Sequence, residues 1–181
     1  MARLIYSATM SLDGFIAGSG GDMSWLTPFA EQNDLADRLM NETGALLVGA
    51  RTYGGDDPNA GDPEHEGAFG GQWHGPQYVL THAAPSDELP DDVFFGDDLL
   101  EMTIAAKAAA GEKYVNVLGA DVARQCIEHG ILDEVLVFIV PVLLGSGTRL
   151  FESESCEQVR LERVSVTESP LSTDVWYRVT R

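Results

Sequence analysis

The sequence has little positive charge. Its 181 residues include 11 Lys or Arg against 29 Asp or Glu, which gives a formal net charge of −18 at pH 7. Lys107 and Lys113 are its only lysines. A surface this negative repels the phosphates of nucleic acids and the head groups of anionic lipids. We therefore expect neither a nucleic-acid partner nor a membrane partner, and an anionic ligand has to be met by single arginines, histidines or backbone N–H groups.

Cysteine, histidine and long apolar runs are also scarce. Cys126 and Cys156 form no CxxC pair, and the 4 histidines lack metal-ligand spacing, so we expect no metal site. Cys126 falls in an amphipathic helical pattern, which favours a free, semi-buried thiol. The longest apolar run, residues 135–144, is far shorter than the roughly 18 residues that span a bilayer. Since the N-terminus also lacks the pattern of a signal peptide, we expect a cytoplasmic location.

The overall composition and the length of the chain are typical of one globular domain. Hydrophobic residues make up 44% of the chain and charged residues 22%, as in ordinary globular proteins. The length is near that of one domain, and the sequence contains no repeat and no low-complexity tract. We expect a single domain over residues 1–181.

Apolar strands and helices alternate through the first two thirds of the chain. Strands are predicted from apolar or alternating runs at residues 3–10, 45–48, 77–81, 93–95 and 114–118. Helices are predicted from caps and helical spacing at residues 27–41, 98–110 and 119–129. The first of these begins with Thr27-Pro28, a typical N-cap followed by proline. Residues 54–75, rich in Gly, Asp, Pro and His, predict a long loop.

Strands dominate the last third of the chain. Residues 132–144 give the signal of a strand pair that contains Pro141, so a strand there is expected to bend or lie at an edge. Two alternating segments between residues 157 and 180 flank a turn at residues 169–172, which predicts an antiparallel hairpin. This order of elements predicts an α/β fold with a central, mostly parallel mixed sheet, an antiparallel C-terminal hairpin and helices on both faces.

Three predicted strand ends carry residues suited to binding a nucleotide. Gly49, Arg51 and Thr52 follow one strand, Thr81 and His82 end a second, and residues 119–122 follow a third. Ligands of open α/β sheets bind beyond the carboxyl ends of the strands, where helix N-termini offer unpaired N–H groups. Together the segments predict a nucleotide site with Arg51 and His82 as two anion contacts. Each segment alone also fits an ordinary turn, and an Asp at position 121 also fits an N-cap.

Carboxylates supply the candidate acids. Asp13 follows the first strand within an Asp-Gly pair, a pattern that is more often a turn than a catalytic group. Glu31 and Asp34 lie one turn apart on the predicted first helix, where they either protonate a nitrogen heterocycle or form a solvated acidic face. Neither cysteine has a histidine nearby and no GxSxG segment is present, so covalent catalysis is unsupported.

Five segments taken in order resemble one known family: residues 10–17 (MSLDGFIA), 47–53 (LVGARTY), 79–81 (VLT), 117–120 (VLGA) and 133–147 (DEVLVFIVPVLLGSG). They resemble the dihydrofolate-reductase-like family, and most of all the branch formed by the C-terminal reductase domain of the deaminase-reductase of riboflavin biosynthesis. The resemblance implies a dihydrofolate-reductase-like three-layer fold, an NADPH cofactor and a homodimer, here as a standalone domain.

The resemblance also implies roles for single residues. Those expected to hold NADPH are Thr9, Ile16, Ala17, Gly49, Arg51, Thr52, Thr81, His82, Gly119, Ala120, Asp121 and Val122. Trp25, Tyr53 and Asp57 are expected to face the substrate. From the carboxylates considered above, and not from the resemblance, Asp13 and Glu31 are the expected catalytic residues.

The expected function is an NADPH-dependent reductase. It would transfer hydride to a small pyrimidine- or pterin-like heterocycle or its open-ring carbonyl, as a 5-amino-6-(5-phosphoribosylamino)uracil reductase does. A dihydrofolate or pterin reductase is the alternative among enzymes. A non-catalytic nucleotide-binding module is the alternative outside them, since residues 59–62 replace the family's Leu-Thr-x-Arg and remove its phosphate-binding cation.

Overall fold

Parallel strands form most of the central sheet. The structure is a computed structural model that describes residues 1–30, 32–55, 59, 62, 65–83, 90–153 and 158–180. Its strands are β1 Leu4–Ser11, β2 Phe15–Ala17, β3 Thr43–Gly49, β4 Gln77–Leu80, β5 Val93–Gly96, β6 Tyr114–Leu118, β7 Glu134–Val140, β8 Thr148–Arg149, β9 Arg160–Glu168 and β10 Thr173–Thr180. Eight of them make one sheet in the order β5-β4-β3-β6-β1-β7-β10-β9.

The pairing within this sheet changes near its end. The six strands from β5 to β7 are parallel, while β10 is antiparallel to both β7 and β9. The C-terminal hairpin is therefore confirmed as the antiparallel edge of a mostly parallel sheet. The short strands β2 and β8, which the sequence did not predict, pair separately beside the end of β1.

Helices cover both faces of the sheet, as expected. They are α1 Asp34–Glu42, α2 Ala50–Tyr53, α3 Leu99–Ala110 and α4 Ala120–Glu128. Side chains of α3 and α4, including Ala106 and Cys126, form one core layer with Leu47 and Val117 of the sheet. On the other face, Leu39 of α1 packs in a second layer with Ile5, Tyr114, Leu136 and Trp176. Alternate residues of β1 and β6 enter different layers, as side-chain alternation requires.

The predicted start of the first helix is wrong. Thr27 and Pro28 lie in a separate 3₁₀ helix, Ser24–Phe29, and α1 begins only at Asp34. The capping residue is Asn33, whose side-chain oxygen accepts the N–H groups of Leu35 and Ala36 at 2.9 and 3.1 Å. A side chain that satisfies two N–H groups fixes the helix start more strongly than the Thr-Pro pattern does.

The strand pair predicted over residues 132–144 is also wrong. A single strand, β7, ends at Val140, and Pro141 lies just beyond it. Proline has no N–H to donate to a neighbouring strand, so pairing stops there instead of bending. Because β7 lies between β1 and β10, it is an interior strand of the sheet and not an edge.

A buried ionic cluster joins the beginning of the sheet to the C-terminal hairpin. Glu134, only 2% exposed, forms an ion pair with Arg3. Its other oxygen accepts the indole N–H of Trp176 at 2.8 Å and the Tyr114 hydroxyl at 3.1 Å. Burial, followed by the charge of Glu134, raises the pKa of Tyr114 to about 12. One carboxylate thereby links the first residues of the chain to β6, β7 and β10.

We expect Glu134→Ala to lower the free energy of unfolding by about 3 kcal/mol, because it leaves the buried indole N–H of Trp176 and the hydroxyl of Tyr114 without this acceptor and removes the ion-pair partner of Arg3. Urea denaturation measures the change. Glu162→Ala is the matched control, since Glu162 contacts Arg178 at 3.7 Å with both side chains exposed, and such pairs contribute about 0.2–1 kcal/mol. Equal losses in the two variants would contradict the structural role of Glu134.

Candidate active site

A large cleft opens at the carboxyl ends of the parallel strands. Its volume is about 2340 Å³, and it lies where ligands bind in open α/β sheets. The described residues that line it include every residue expected to hold the cofactor: Thr9, Ile16, Ala17, Gly49, Arg51, Thr52, Thr81, His82, Gly119, Ala120, Asp121 and Val122. The fold thus brings segments from across the chain to one place, while their contacts with a cofactor remain predictions.

The turns that follow β3 and β6 pack directly against each other. Gly119 has a φ of +102°, which side-chain-bearing residues rarely adopt. A Cβ atom placed on Gly119 would overlap the Thr52 hydroxyl, and one placed on Gly49 would lie 3.1 Å from a methyl group of Val122. The two glycines therefore allow the backbones to approach at the centre of the cleft.

The N-terminus of α4 faces no capping side chain. Gly119 occupies the N-cap position and offers no side-chain acceptor, so the first N–H groups of α4 keep their capacity to bind an anion. Asp121 does not cap the helix as the alternative interpretation had it. Its carboxylate accepts Arg124 at 2.7 Å and Gln125 at 3.0 Å, and the hydrogen bond from Arg124 is the main reason that the pKa of Asp121 is lowered.

Positive charge in the cleft comes from Arg51. Of the described residues that line the cleft, Arg51 is the only arginine or lysine, and it forms no ion pair with another described residue. His82 is exposed on the neighbouring turn, whose shape is fixed where the Thr81 hydroxyl accepts the N–H of Ala83 at 3.1 Å. The two predicted anion contacts thus lie in one cleft.

Asp13 braces a loop and does not line the cleft. Its carboxylate accepts the N–H groups of Leu144 at 3.0 Å and Gly145 at 2.7 Å, and the Ser11 hydroxyl at 2.7 Å. The hydrogen bond from Ser11, with those from the backbone, lowers the pKa of Asp13 from 3.8 to about 2. A group that is ionised at neutral pH is a poor proton donor. These contacts give Asp13 a structural role in the loop, while its expected catalytic role stays a prediction.

The other expected substrate and catalytic residues have different outcomes. Glu31 and Asp57 lie outside the described residues. Tyr53 lines the cleft, with its ring edge-to-face against Phe95 at 5.5 Å. Trp25 does not line it, although Met23, Leu26 and Phe29 of the same segment do. Trp25 lies in the 3₁₀ helix Ser24–Phe29, ahead of the residues at which the sequence predicts a helix.

Sequence reasoning missed the wall that α1 contributes. Asn33 donates to Asp174 and to Ser169, each at 3.0 Å, and these contacts attach the start of α1 to the turn between β9 and β10. Asp174 is fully buried and also accepts Ser172 at 2.5 Å. The capping pattern could have identified Asn33, but no local signal identifies partners that lie more than 130 residues away.

Phe69 was also missed. It lines the cleft and packs against the core layer beneath α1. Its φ of +54° makes it the one residue other than glycine with a positive φ among those described. Such a conformation persists only where the surroundings enforce it, and it often occurs at binding sites.

Other classes of site have little support in the described chain. Its residues include no cluster of three or more His, Cys, Asp or Glu that could hold a metal ion. Cys126 is a free, fully buried thiol, and burial raises its pKa to about 12. None of the helices in the described ranges is both long enough and apolar enough to cross a membrane.

Residues 2–173 match the family model of the RibD C-terminal domain. The chain belongs to this family. The uncharacterized protein YyaP of Bacillus subtilis (strain 168) is 27% identical over 154 residues, which cover 82% of this chain and 80% of that protein. The family match confirms the resemblance seen in the five sequence segments.

Solved structures confirm the fold of this RibD C-terminal domain. A protein of Shewanella sp. PV-4 that is named for riboflavin biosynthesis is 23% identical, with a TM-score of 0.79 over 100% of both chains. Dihydrofolate reductase from Enterococcus faecalis, complexed with NADP(H), is 18% identical, with a TM-score of 0.64 over 99% of this chain and 97% of that chain. The dihydrofolate-reductase-like fold is therefore confirmed.

We expect Asp13 to stabilise the domain in a pH-dependent way. Because its pKa in the folded state is about 2 instead of 3.8, its contribution is present above about pH 4 and is lost as the pH falls through 2. The difference in Tm between the wild type and Asp13→Asn should be largest near neutral pH and shrink between about pH 4 and 2. Glu112→Gln, an exposed carboxylate, controls for the loss of one charge. A difference that is constant with pH would contradict the bracing role.

Gly119→Ala should destabilise the domain by about 2 kcal/mol, since it combines an overlap with an unfavourable φ. Gly130→Ala is the matched control, because Gly130 has a φ of +65° with nothing within 4 Å of an added Cβ atom. Thr52→Ala removes the overlapping hydroxyl and should restore part of the loss in Gly119→Ala. Thermal unfolding tests this, and the close approach is refuted if Thr52→Ala restores nothing.

Proposed function

We propose that this RibD C-terminal domain is an NADPH-dependent reductase of a small pyrimidine- or pterin-like heterocycle, or of its open-ring carbonyl. The observation that carries the proposal is the meeting of the β3, β4 and β6 strand ends in one cleft, with an uncapped helix and a single arginine. Family membership supports a reductase, and the likeness to a dihydrofolate reductase complexed with NADP(H) supports the cofactor.

The residues present fit a dinucleotide. Gly49 and Gly119 let the turns after β3 and β6 approach each other, so that both turns border the same cleft. The uncapped N–H groups of α4 suit a pyrophosphate, and Arg51 suits the additional phosphate that distinguishes NADPH from NADH. When bound, NADPH supplies the hydride from its nicotinamide ring. Thr9, Ile16 and Ala17, at the end of β1 and in β2, would hold that ring beside the substrate.

The chain's contribution to the chemistry is orientation and protonation. Orienting two reactants in one cleft removes much of the entropy cost of their encounter. Asp13 is already committed to the loop at residues 144–145, so the proton would come from water or from a carboxylate near α1. Asp37 of α1 lines the cleft and meets this requirement, as does the expected Glu31. A homodimer and a cytoplasmic location are further parts of the proposal.

Arg51→Ala should weaken NADPH about tenfold or more and NADH much less, because the guanidinium would contact the phosphate found only on NADPH. Protein fluorescence titrated with each cofactor gives both Kd values. Arg160→Ala, an exposed arginine on the outer strand β9, controls for the change in net charge.

Three outcomes would overturn parts of the proposal. Failure of NADPH to bind or to raise the Tm would exclude the cofactor. Equal weakening of NADPH and NADH would move recognition of the phosphate away from Arg51. Binding of NADPH without oxidation by any pyrimidine or pterin would favour the non-catalytic nucleotide-binding module.

A further inference from the structure

A polar pair lies in the sheet beneath the α1 side of the cleft. Ser7 of β1 lines the cleft, and its hydroxyl donates to the side-chain oxygen of Asn116, on β6, at 2.9 Å. Asn116 is fully buried. Its side-chain NH₂ group has no hydrogen-bond partner among the described residues. An amide in this position is unusual, because the other four residues of β6 are Tyr, Val, Val and Leu.

The hydrogen bond fixes what Ser7 can offer a ligand. A serine hydroxyl has one proton and two acceptor lone pairs. Since the proton is directed to Asn116, the lone pairs of Ser7 remain for a group in the cleft. Ser7 therefore presents a hydrogen-bond acceptor, and Asn116 determines that orientation. An apolar residue at position 116 would leave the hydroxyl free to rotate.

Several apolar side chains line the same cleft as Ser7. Met40 and Ala36 of α1, Phe138 of β7 and Phe69 line the same cleft. Phe69 and Phe138 both pack against the core layer beneath α1. Apolar walls with a few placed polar groups are characteristic of sites for small-molecule ligands.

We propose that Ser7 is a specificity-determining residue that accepts a hydrogen bond from a ring N–H of the substrate, with Asn116 as its positioning residue. The proposal rests on the proposed function and deepens it: the substrate is a heterocycle with an unsubstituted ring nitrogen. A hydrogen-bonding site discriminates strongly against a ligand that lacks the matching group, because its own polar atom is then left unpaired.

The test compares two ligands that differ in ring N–H groups. The probes are 5,6-diaminouracil and 5,6-diamino-1,3-dimethyluracil, titrated by calorimetry into the protein saturated with NADP⁺. The wild type should bind the first roughly tenfold more tightly, as expected for one well-placed hydrogen bond. Ser7→Ala should reduce this preference to about twofold or less, and Ser7→Thr, which keeps the hydroxyl, should retain it.

Asn116→Leu separates positioning from a merely structural role. It should reduce the preference for the N–H ligand while leaving the affinity for NADP⁺ unchanged. In the Ser7→Ala background it should have no further effect on the preference, because the residue it orients is gone. The double variant replaces both polar partners by apolar groups and so leaves no buried donor unpaired. If Ser7→Ala alone does not fold, the preference for the N–H ligand is measured on the double variant instead.

The outcomes separate this inference from the proposed function. If NADPH and NADP⁺ fail to bind the wild type, the proposed function fails. If they bind but the two uracils bind equally, or neither binds, the role of Ser7 is overturned while the cofactor site stands. If the dimethyl compound binds more tightly, or if Ser7→Ala leaves the preference for the N–H ligand unchanged, Ser7 accepts no ring N–H and the proposal is wrong.

Discussion

The close approach of the turns after β3 and β6 is the constraint on which the cleft depends. Gly49 ends β3, and Gly119 directly follows β6, the parallel neighbour of β3. A Cβ atom on Gly119 would overlap the Thr52 hydroxyl, and one on Gly49 would lie 3.1 Å from a methyl group of Val122. The same two turns begin α2 and α4. The spacing of the backbones therefore fixes where the N–H groups of α4 lie relative to Arg51. The packing of the apolar strands and the geometry of the site therefore both depend on two residues without side chains.

The cleft has two ends with different chemistry. At one end are backbone N–H groups and Arg51, which suit an anion. At the other, α1 forms a mainly apolar wall that is attached to the β9–β10 turn through Asn33 and the buried Asp174. Asp174 accepts hydrogen bonds from Asn33, Ser169 and Ser172. These bonds hold the start of α1 against the β9–β10 turn. The hairpin at the end of the chain thus holds a helix that begins more than 130 residues earlier.

Local patterns were sufficient for most strands of the central sheet and for grouping the residues of the anion end of the cleft. Uniformly apolar runs such as residues 45–48 identify strands buried on both faces, and parallel strand ends must meet at one edge of the sheet, so Gly49, Thr81 and Gly119 could be grouped without a structure. The α1 wall could not be predicted in this way. The pairs Asn33–Asp174 and Ser7–Asn116 join residues that are more than 100 positions apart. Each of these residues alone resembles an ordinary turn or strand residue.

The net charge of −18 makes local geometry decisive for an anionic cofactor. The carboxylates spread over the surface repel a polyanion at long range, although salt at physiological strength limits this repulsion to about 8 Å. The charge of Arg124 does little to offset this repulsion, since Asp121 and Glu128 both hold its guanidinium at 2.7 Å. Attraction therefore has to arise at contact distance, from N–H groups and from Arg51. Such contacts depend steeply on distance and direction, so an anionic cofactor would be bound through the position of two turns and not through the field of the whole protein.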